Sequence, residues 1–280
     1  MCSIFKYKNT VGRNFDYEIT YKEEPRIINK KEHSNKYKII GMCTGLIQDH
    51  PLFYDGMNEH GLVMGGLAFT GNAQYNNPQE EKYNIPSYNI ILELLGNYKT
   101  VQEIKNILDN INITNEAYNK QMPPSDLHWF IADKNESIII EQTNEGLKWY
   151  KGSVMTNNPP YNMQKALCMY NNINVGLYLP VDKKCSSRGM DTFNLVGDYT
   201  SFGRYSRLNY LKNYLSESTN DFNPVSQSFH LCSSVEQVYG LTSVGDKYEY
   251  TIYSVVYDMD NLELYLKQYD NLEIEINDLK

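Results

Sequence analysis

Cysteine is scarce and irregularly spaced in this chain of 280 residues: Cys2, Cys43, Cys168, Cys185 and Cys232, with no CxxC spacing among them. An odd, irregular set argues against a disulfide framework and gives no zinc-site pattern. The five histidines are equally scattered, so no metal site is expected. Positive charge is also short, with 26 Lys and Arg against 34 Asp and Glu and a net charge of −8. Nucleic-acid phosphates would be repelled by that balance, and no helix carries a basic stripe to offset it. No stretch approaches the ~18 apolar residues of a membrane span. The amino terminus has neither a charged n-region nor an apolar h-region, which predicts no signal peptide and a cytoplasmic, reducing setting. No Pro-, Gly- or Ser-rich linker and no internal repeat divides the sequence, so residues 1–280 are expected to form a single domain.

What is present is concentrated at the start, MCSIFKYKNTVGRNFDYE. Small residues at position 2 generally permit removal of the initiator methionine. Without Met1, Cys2 carries a free α-amino group beside its own thiol, so one residue supplies a nucleophile and a base. Taken alone, Cys2 reads first as the accident of a frayed terminus. The period-2 pattern of CSIFKYK sets Cys2 and Ile4 on one strand face and Phe5 and Tyr7 on the other. A turn centred near Asn9 would return RNFDYEITY as a second strand, with Cys2 opposite Asp16 and Arg13 close by.

Further strands are expected at PRIIN, KIIGMCTGLI, PLFYDGMN and GLVMGGLAF, with a hairpin turn at Asn58–Gly61 where Gly61 takes positive φ. SYNIILELLG reads as a helix ending at Gly96. TVQEIKNILDNI reads as a second, opened by a capping box of Thr100 and Glu103. LHWFIAD, ESIIIEQ, LKWYKG and VMTN return to strand. YNMQKALCMY, GRYSRLNYLKNYL and NPVSQSFHLCSSV are helical, the last entered through Asn223 and Pro224. EYTIYSVVYD and LELYLKQYD close the chain as an antiparallel pair. Strand blocks bracket helical blocks without βαβ alternation, which predicts an α+β fold of antiparallel sheets covered by helices.

Taken together, MCS at the start, GRNFD at 12–16, YDGMNEHGL at 54–62, SVMTNNP at 153–159, GDYTSFGR at 197–204 and YTIYSVVYD at 250–258 resemble the choloylglycine hydrolases. That family holds bile salt hydrolases and penicillin V acylases, within the N-terminal nucleophile (Ntn) hydrolases. The resemblance implies a four-layer αββα sandwich, removal of Met1 and Cys2 as nucleophile. It places Arg13 and Asp16 beside Cys2, Asn157 near the scissile carbonyl and Arg204 behind the thiol. Phe15 and Ala68 are implied in substrate binding. Ala68 stands where bile salt hydrolases usually carry Asn and penicillin V acylases Tyr. The implied enzyme uses no cofactor, takes a small amphipathic N-acyl amide, and assembles as a homo-oligomer, a tetramer by resemblance.

The residue types suit that chemistry. A free thiol has a pKa of ~8.5 and a free α-amine ~7.7–8.0, so each lies near its reactive form at neutral pH. The amine can take the thiol proton and later return one to the leaving amine. Arg13 and Arg204 supply fixed positive charge that favours a thiolate. Asp16 can hold the terminal ammonium, and Asn157 can donate an N–H to an oxyanion. The reading is an amidase cleaving linear C–N bonds through a Cys2 thioester, with glycine- or taurine-conjugated bile salts preferred. A penicillin V acylase or another N-acyl amide hydrolase is the alternative. A weakly active binder of amphipathic acids is a further one. Asp55, Gly56 and Asn58 read as turn architecture, and the four remaining cysteines as packing or surface thiols.

Overall fold

A computed structural model describes residues 1–175, 195–218 and 222–280. Its elements run β1 (Cys2–Tyr7), β2 (Thr10–Tyr17), β3 (Glu23–Ile28), β4 (Ile39–Thr44), β5 (Phe53–Asn58), β6 (Val63–Ala68) and β7 (Tyr83–Pro86). α1 (Ile90–Asn97), α2 (Val101–Lys105), β8 (Ile111–Thr114), β9 (Leu127–Ala132), β10 (Ser137–Thr143), β11 (Gly146–Lys151) and β12 (Val154–Met155) follow. The last part holds α3 (Tyr161–Val175), α4 (Ser201–Ser218), α5 (Pro224–Ser234), β13 (Thr242–Val244), β14 (Lys247–Asp258), β15 (Glu263–Gln268) and β16 (Asn271–Asp278).

All strands but β7 and β8, which pair with each other, form two antiparallel sheets. One is ordered β12-β1-β2-β14-β15-β16, with β13 beside β14; the other is β11-β10-β9-β6-β5-β4-β3. Alternation along each strand gives two apolar faces, and both must be covered. α4 and α5 pack on the first sheet and α1 on the second, while β1 and β6 meet across the middle. This is the expected αββα sandwich. Ile4, Met42, Met57, Leu67 and Val255 belong to the core that includes the gap between the sheets. Met64, Leu94, Ile104 and Trp129 belong to the core under α1 and α2. No helix among the described residues is long and apolar enough to cross a membrane.

Local signals operate where expected. Gly61 turns the β5–β6 hairpin at φ 76°. Thr100 Oγ accepts from Glu103 N at 3.1 Å to open α2, and Asn223 Oδ1 caps α5 ahead of Pro224. Three expectations are corrected. Gly96 lies inside α1 rather than ending it, and its missing side chain makes room for Asn35, which an added Cβ would strike. The second helix stops at Lys105, and Ile111–Thr114 leaves it to pair in parallel with β7. β16, unforeseen, extends the closing pair to three strands.

Candidate active site

The β1–β2 hairpin closes one residue tighter than expected. Tyr7 pairs with Thr10 across a two-residue turn in which Lys8 adopts φ 50°. Cys2 therefore stands opposite Phe15 and Ile4 opposite Arg13, not Cys2 opposite Asp16. Paired residues share a face, so Cys2, Arg13 and Phe15 all look into the gap between the sheets. The side chain of Asp16 turns to the helix side of the same sheet. This slip of one residue decides what each group touches.

Every polar atom of Cys2 is engaged, and the residue is 5% exposed. Its N–H donates to Asn157 Oδ1 at 2.6 Å, and its carbonyl accepts from Arg204 Nη1 at 2.6 Å. Sγ lies 3.9 Å from Arg13 Nη2 and 3.9 Å from the Asp16 carbonyl oxygen. Asn157 is held from three sides. Arg204 Nη2 donates to its Oδ1 at 3.1 Å, its own Nδ2 donates to the Ala68 carbonyl at 2.8 Å, and Gln164 Nε2 donates to its carbonyl. Arg204 comes from α4, is fully buried, and also binds Ser3 Oγ at 2.6 Å. Burial lowers its pKa, and Asp16 and Cys2 oppose that drop.

Asp16 approaches the terminus by its main chain. Its carbonyl accepts from the Met1 ammonium at 2.7 Å, while its carboxylate binds Thr251 Oγ1 at 2.6 Å and Gln237 Nε2 at 2.9 Å. The Met1 ammonium also contacts the buried Glu249 carboxylate. Burial lowers the pKa of this ammonium, against the carboxylate of Asp16.

Ala68 also meets the site by its main chain. Phe69 N donates to Asp126 O at 2.8 Å, which makes that pair hydrogen-bonded and the next, Ala68–Leu127, non-hydrogen-bonded. The N–H and C=O of Ala68 therefore point away from β9, the carbonyl onto Asn157. Alternation sets its methyl on the face of Met64 and Gly66. Phe15 stacks on Tyr253 at 5.1 Å and packs against Tyr54 at 4.7 Å, forming an aromatic wall beside Cys2.

Asp55, read from the sequence as a turn residue, instead sits within β5, fully buried, and pairs with Arg13 Nη1 at 2.5 Å. Tyr253 and Tyr257 of β14 both donate to it. Burial, then Asp55, holds both phenols well above their ordinary pKa. Burial would lower the pKa of Arg13, but Tyr253 and Asp55 outweigh it and raise it. The available signal was an acidic residue inside an otherwise apolar strand. Glu249, Gln237 and Thr251 were also unforeseen. Cys43, Cys168 and Cys232 are buried, the first and last with thiol pKa values pushed up by burial. Cys185 lies outside the described residues.

The family described as linear amide C–N hydrolases, choloylglycine hydrolase family, matches residues 3–280. The bile salt hydrolase/transferase of Lactiplantibacillus plantarum is 41% identical, over 98% of this chain and 91% of its own length. A crystal structure of a mutant conjugated bile acid hydrolase from Clostridium perfringens superposes with TM-score 0.90 at 30% identity, over 100% of this chain and 92% of that one. A penicillin V acylase from Agrobacterium tumefaciens shares the fold, with TM-score 0.76 at 19% identity, over 100% and 86%.

Proposed function

This chain belongs to the choloylglycine hydrolase family of linear amide C–N hydrolases, and from that premise we propose that it deconjugates glycine- or taurine-linked bile salts through Cys2. The active form is a single domain without Met1, working in the cytoplasm. The observation that carries the reading is the bridge through Asn157, which joins the Cys2 nitrogen at 2.6 Å to the Ala68 carbonyl at 2.8 Å. One side chain thereby ties the base to the strand edge where a substrate carbonyl would lie.

The steps follow from the residues. The Cys2 α-amine takes the thiol proton, and Sγ attacks the amide carbon while Arg13 Nη2 faces the sulfur. The carbonyl electrons move onto oxygen, where the Ala68 N–H and the second Asn157 Nδ2 hydrogen form the oxyanion hole. Collapse breaks the C–N bond, and the ammonium returns its proton to the departing amine. The remaining thioester is attacked by water, which releases the acid and restores the thiol. Asp16 meets Cys2 through its carbonyl, 3.9 Å from Sγ, and positions Arg204 through its carboxylate, 3.7 Å from Nη1. Phe15 lines the acyl side, and Ala68 meets the substrate by its main chain.

The relatives called hydrolase/transferase favour a second use of the same thioester, attack by an amine in place of water. Penicillin V and other N-acyl amides are the alternative substrates. Leu272, at 88% exposure, with Ile274 and Ile276 of β16, supports assembly into a homo-oligomer. The deciding assay is product release from glycocholate, taurocholate, penicillin V and simple acyl amides, with and without added glycine. Cys2→Ala should abolish turnover on every substrate. Bile salts left intact by wild-type protein that cleaves penicillin V would overturn the substrate assignment. Wild-type turnover by Cys2→Ala would overturn the nucleophile.

A further inference from the structure

Arg13 has four terminal N–H groups, and all are directed. Nη1 serves Asp55 Oδ2 at 2.5 Å and the Tyr54 carbonyl; Nη2 serves the Gly66 carbonyl at 2.8 Å and faces Cys2 Sγ at 3.9 Å. A guanidinium is planar and its fork is rigid, so fixing one edge aims the other. The edge is fixed from both sheets. Asp55 comes from β5, whereas Arg13 lies on β2 directly opposite Val255 of β14. Tyr253 and Tyr257 flank Val255 by two residues on either side, so both share its face. Both phenols reach across the gap to Asp55, Tyr253 on Oδ2 at 2.7 Å and Tyr257 on Oδ1. All three side chains are buried to within 1%. The space is provided by Gly65, where an added Cβ would meet Ile4 Cδ1 at 2.7 Å and Arg13 Nη1 at 3.6 Å.

We propose that Asp55, Tyr253 and Tyr257 are positioning residues that act through Arg13, locking one Nη2–H onto the thiol of Cys2. This rests on Cys2 being the nucleophile. A buried carboxylate between a guanidinium and two hydroxyls divides its lone pairs among three donors. Removing the Tyr257 hydroxyl leaves Oδ1 without a donor, and removing that of Tyr253 leaves Oδ2 to Arg13 alone; either way the carboxylate draws the guanidinium toward itself and off the sulfur. The tyrosines therefore control how much of the positive charge of Arg13 the sulfur feels. The thiol is also approached by Arg204 from α4, by the α-amine, by the Asp16 carbonyl at 3.9 Å and by Tyr17, both from β2. None of these four touches Asp55, so changes at Tyr253 and Tyr257 reach the sulfur only through Arg13.

Alkylation of Cys2 by iodoacetamide, located by peptide mass, tests this without any substrate. Peptide mapping reads Cys2 apart from the other four cysteines, and burial pushes the thiols of Cys43 and Cys232 up and away from their reactive form. Tyr253→Phe and Tyr257→Phe should each slow alkylation at neutral pH by about threefold to tenfold and move its pH profile upward by about half a unit to one unit. Hydrolysis kcat should fall by the same factor with KM unchanged. In an Arg13→Lys background neither substitution should have a further effect, since the fork is already lost. Thermal melting identifies the folded variants, and either tyrosine suffices if the other fails to fold. An unmoved pH profile in a folded variant, or an effect that multiplies with Arg13→Lys, would overturn the assignment. Failure of the nucleophile reading looks different: turnover would survive complete alkylation of Cys2.

Discussion

The backbone nitrogen of Cys2 and the side-chain oxygen of Asn157 lie 2.6 Å apart, although 155 positions separate them in sequence. The amide of Asn157 has only one sensible orientation, because its oxygen receives two donors and its nitrogen faces the Ala68 carbonyl. Asn157→Asp keeps the acceptor but removes both N–H groups. Its kcat should fall about 10²- to 10³-fold. Asn157→Ala loses the acceptor as well and should fall further. Equal kcat in folded Asn157→Asp and wild-type protein would remove Asn157 from the oxyanion hole.

Met1 occupies the space beside the sulfur, with its ammonium on the Asp16 carbonyl and against Glu249. While Met1 remains, the nitrogen of Cys2 is an amide and cannot accept a proton. Protein produced with methionine excision blocked should therefore be folded and inactive. Treatment with a methionine aminopeptidase should restore turnover in step with loss of one methionine by intact mass. Full activity with Met1 still attached would exclude the α-amine as base.

Cys2, Arg13, Asn157 and Arg204 were legible because each sits in a short stretch that fixes both its type and its local geometry. The register of the hairpin was not, since Lys8 takes a left-handed φ that its sequence does not advertise. That slip moved the carboxylate of Asp16 to the far face and left only its carbonyl for the terminus. Asp55 was missed for a different reason. Its partners, Arg13, Tyr253 and Tyr257, lie on the opposing sheet, and periodicity within one strand carries no information about what packs across the gap. The β7–β8 pair was lost because Ile107, Leu108 and Ile111 continue a helical spacing past the point where the helix stops.

The same tyrosines make stability fall at high pH. A free tyrosine ionises near pH 10, and Tyr253 and Tyr257 are held well above that by burial beside Asp55. Below pH ~10 both folded and unfolded chains keep these protons, so the contribution is fully present. Above it the unfolded chain releases them while the folded one does not. Each then costs up to ~1.4 kcal/mol per pH unit. Urea unfolding between about pH 9 and 11 should show this decline, and Tyr257→Phe should make it shallower by one tyrosine's share. A slope identical to wild type would mean that Tyr257 ionises in the folded state.

Ala68 offers the clearest separation of side chain from main chain. It belongs to a non-hydrogen-bonded pair with Leu127, so its N–H takes no part in the ladder to β9. Its methyl lies on the face shared with Met64 and Gly66, away from Cys2. An oxyanion donor at this position is therefore the backbone N–H, and the side chain points away from the reacting groups. Folded Ala68→Asn and Ala68→Tyr should each leave kcat within about tenfold of wild type, with the ratio of bile salt to penicillin V cleavage little changed. Ala68→Pro removes only the N–H. Proline is tolerated where no ladder bond is lost, and Leu67 before it already has the extended backbone that a following proline demands. The folded Ala68→Pro protein should lose about 10²- to 10³-fold in kcat, with KM little changed. Retained kcat in that variant would move the second donor elsewhere and leave Asn157 to bind the oxyanion without it.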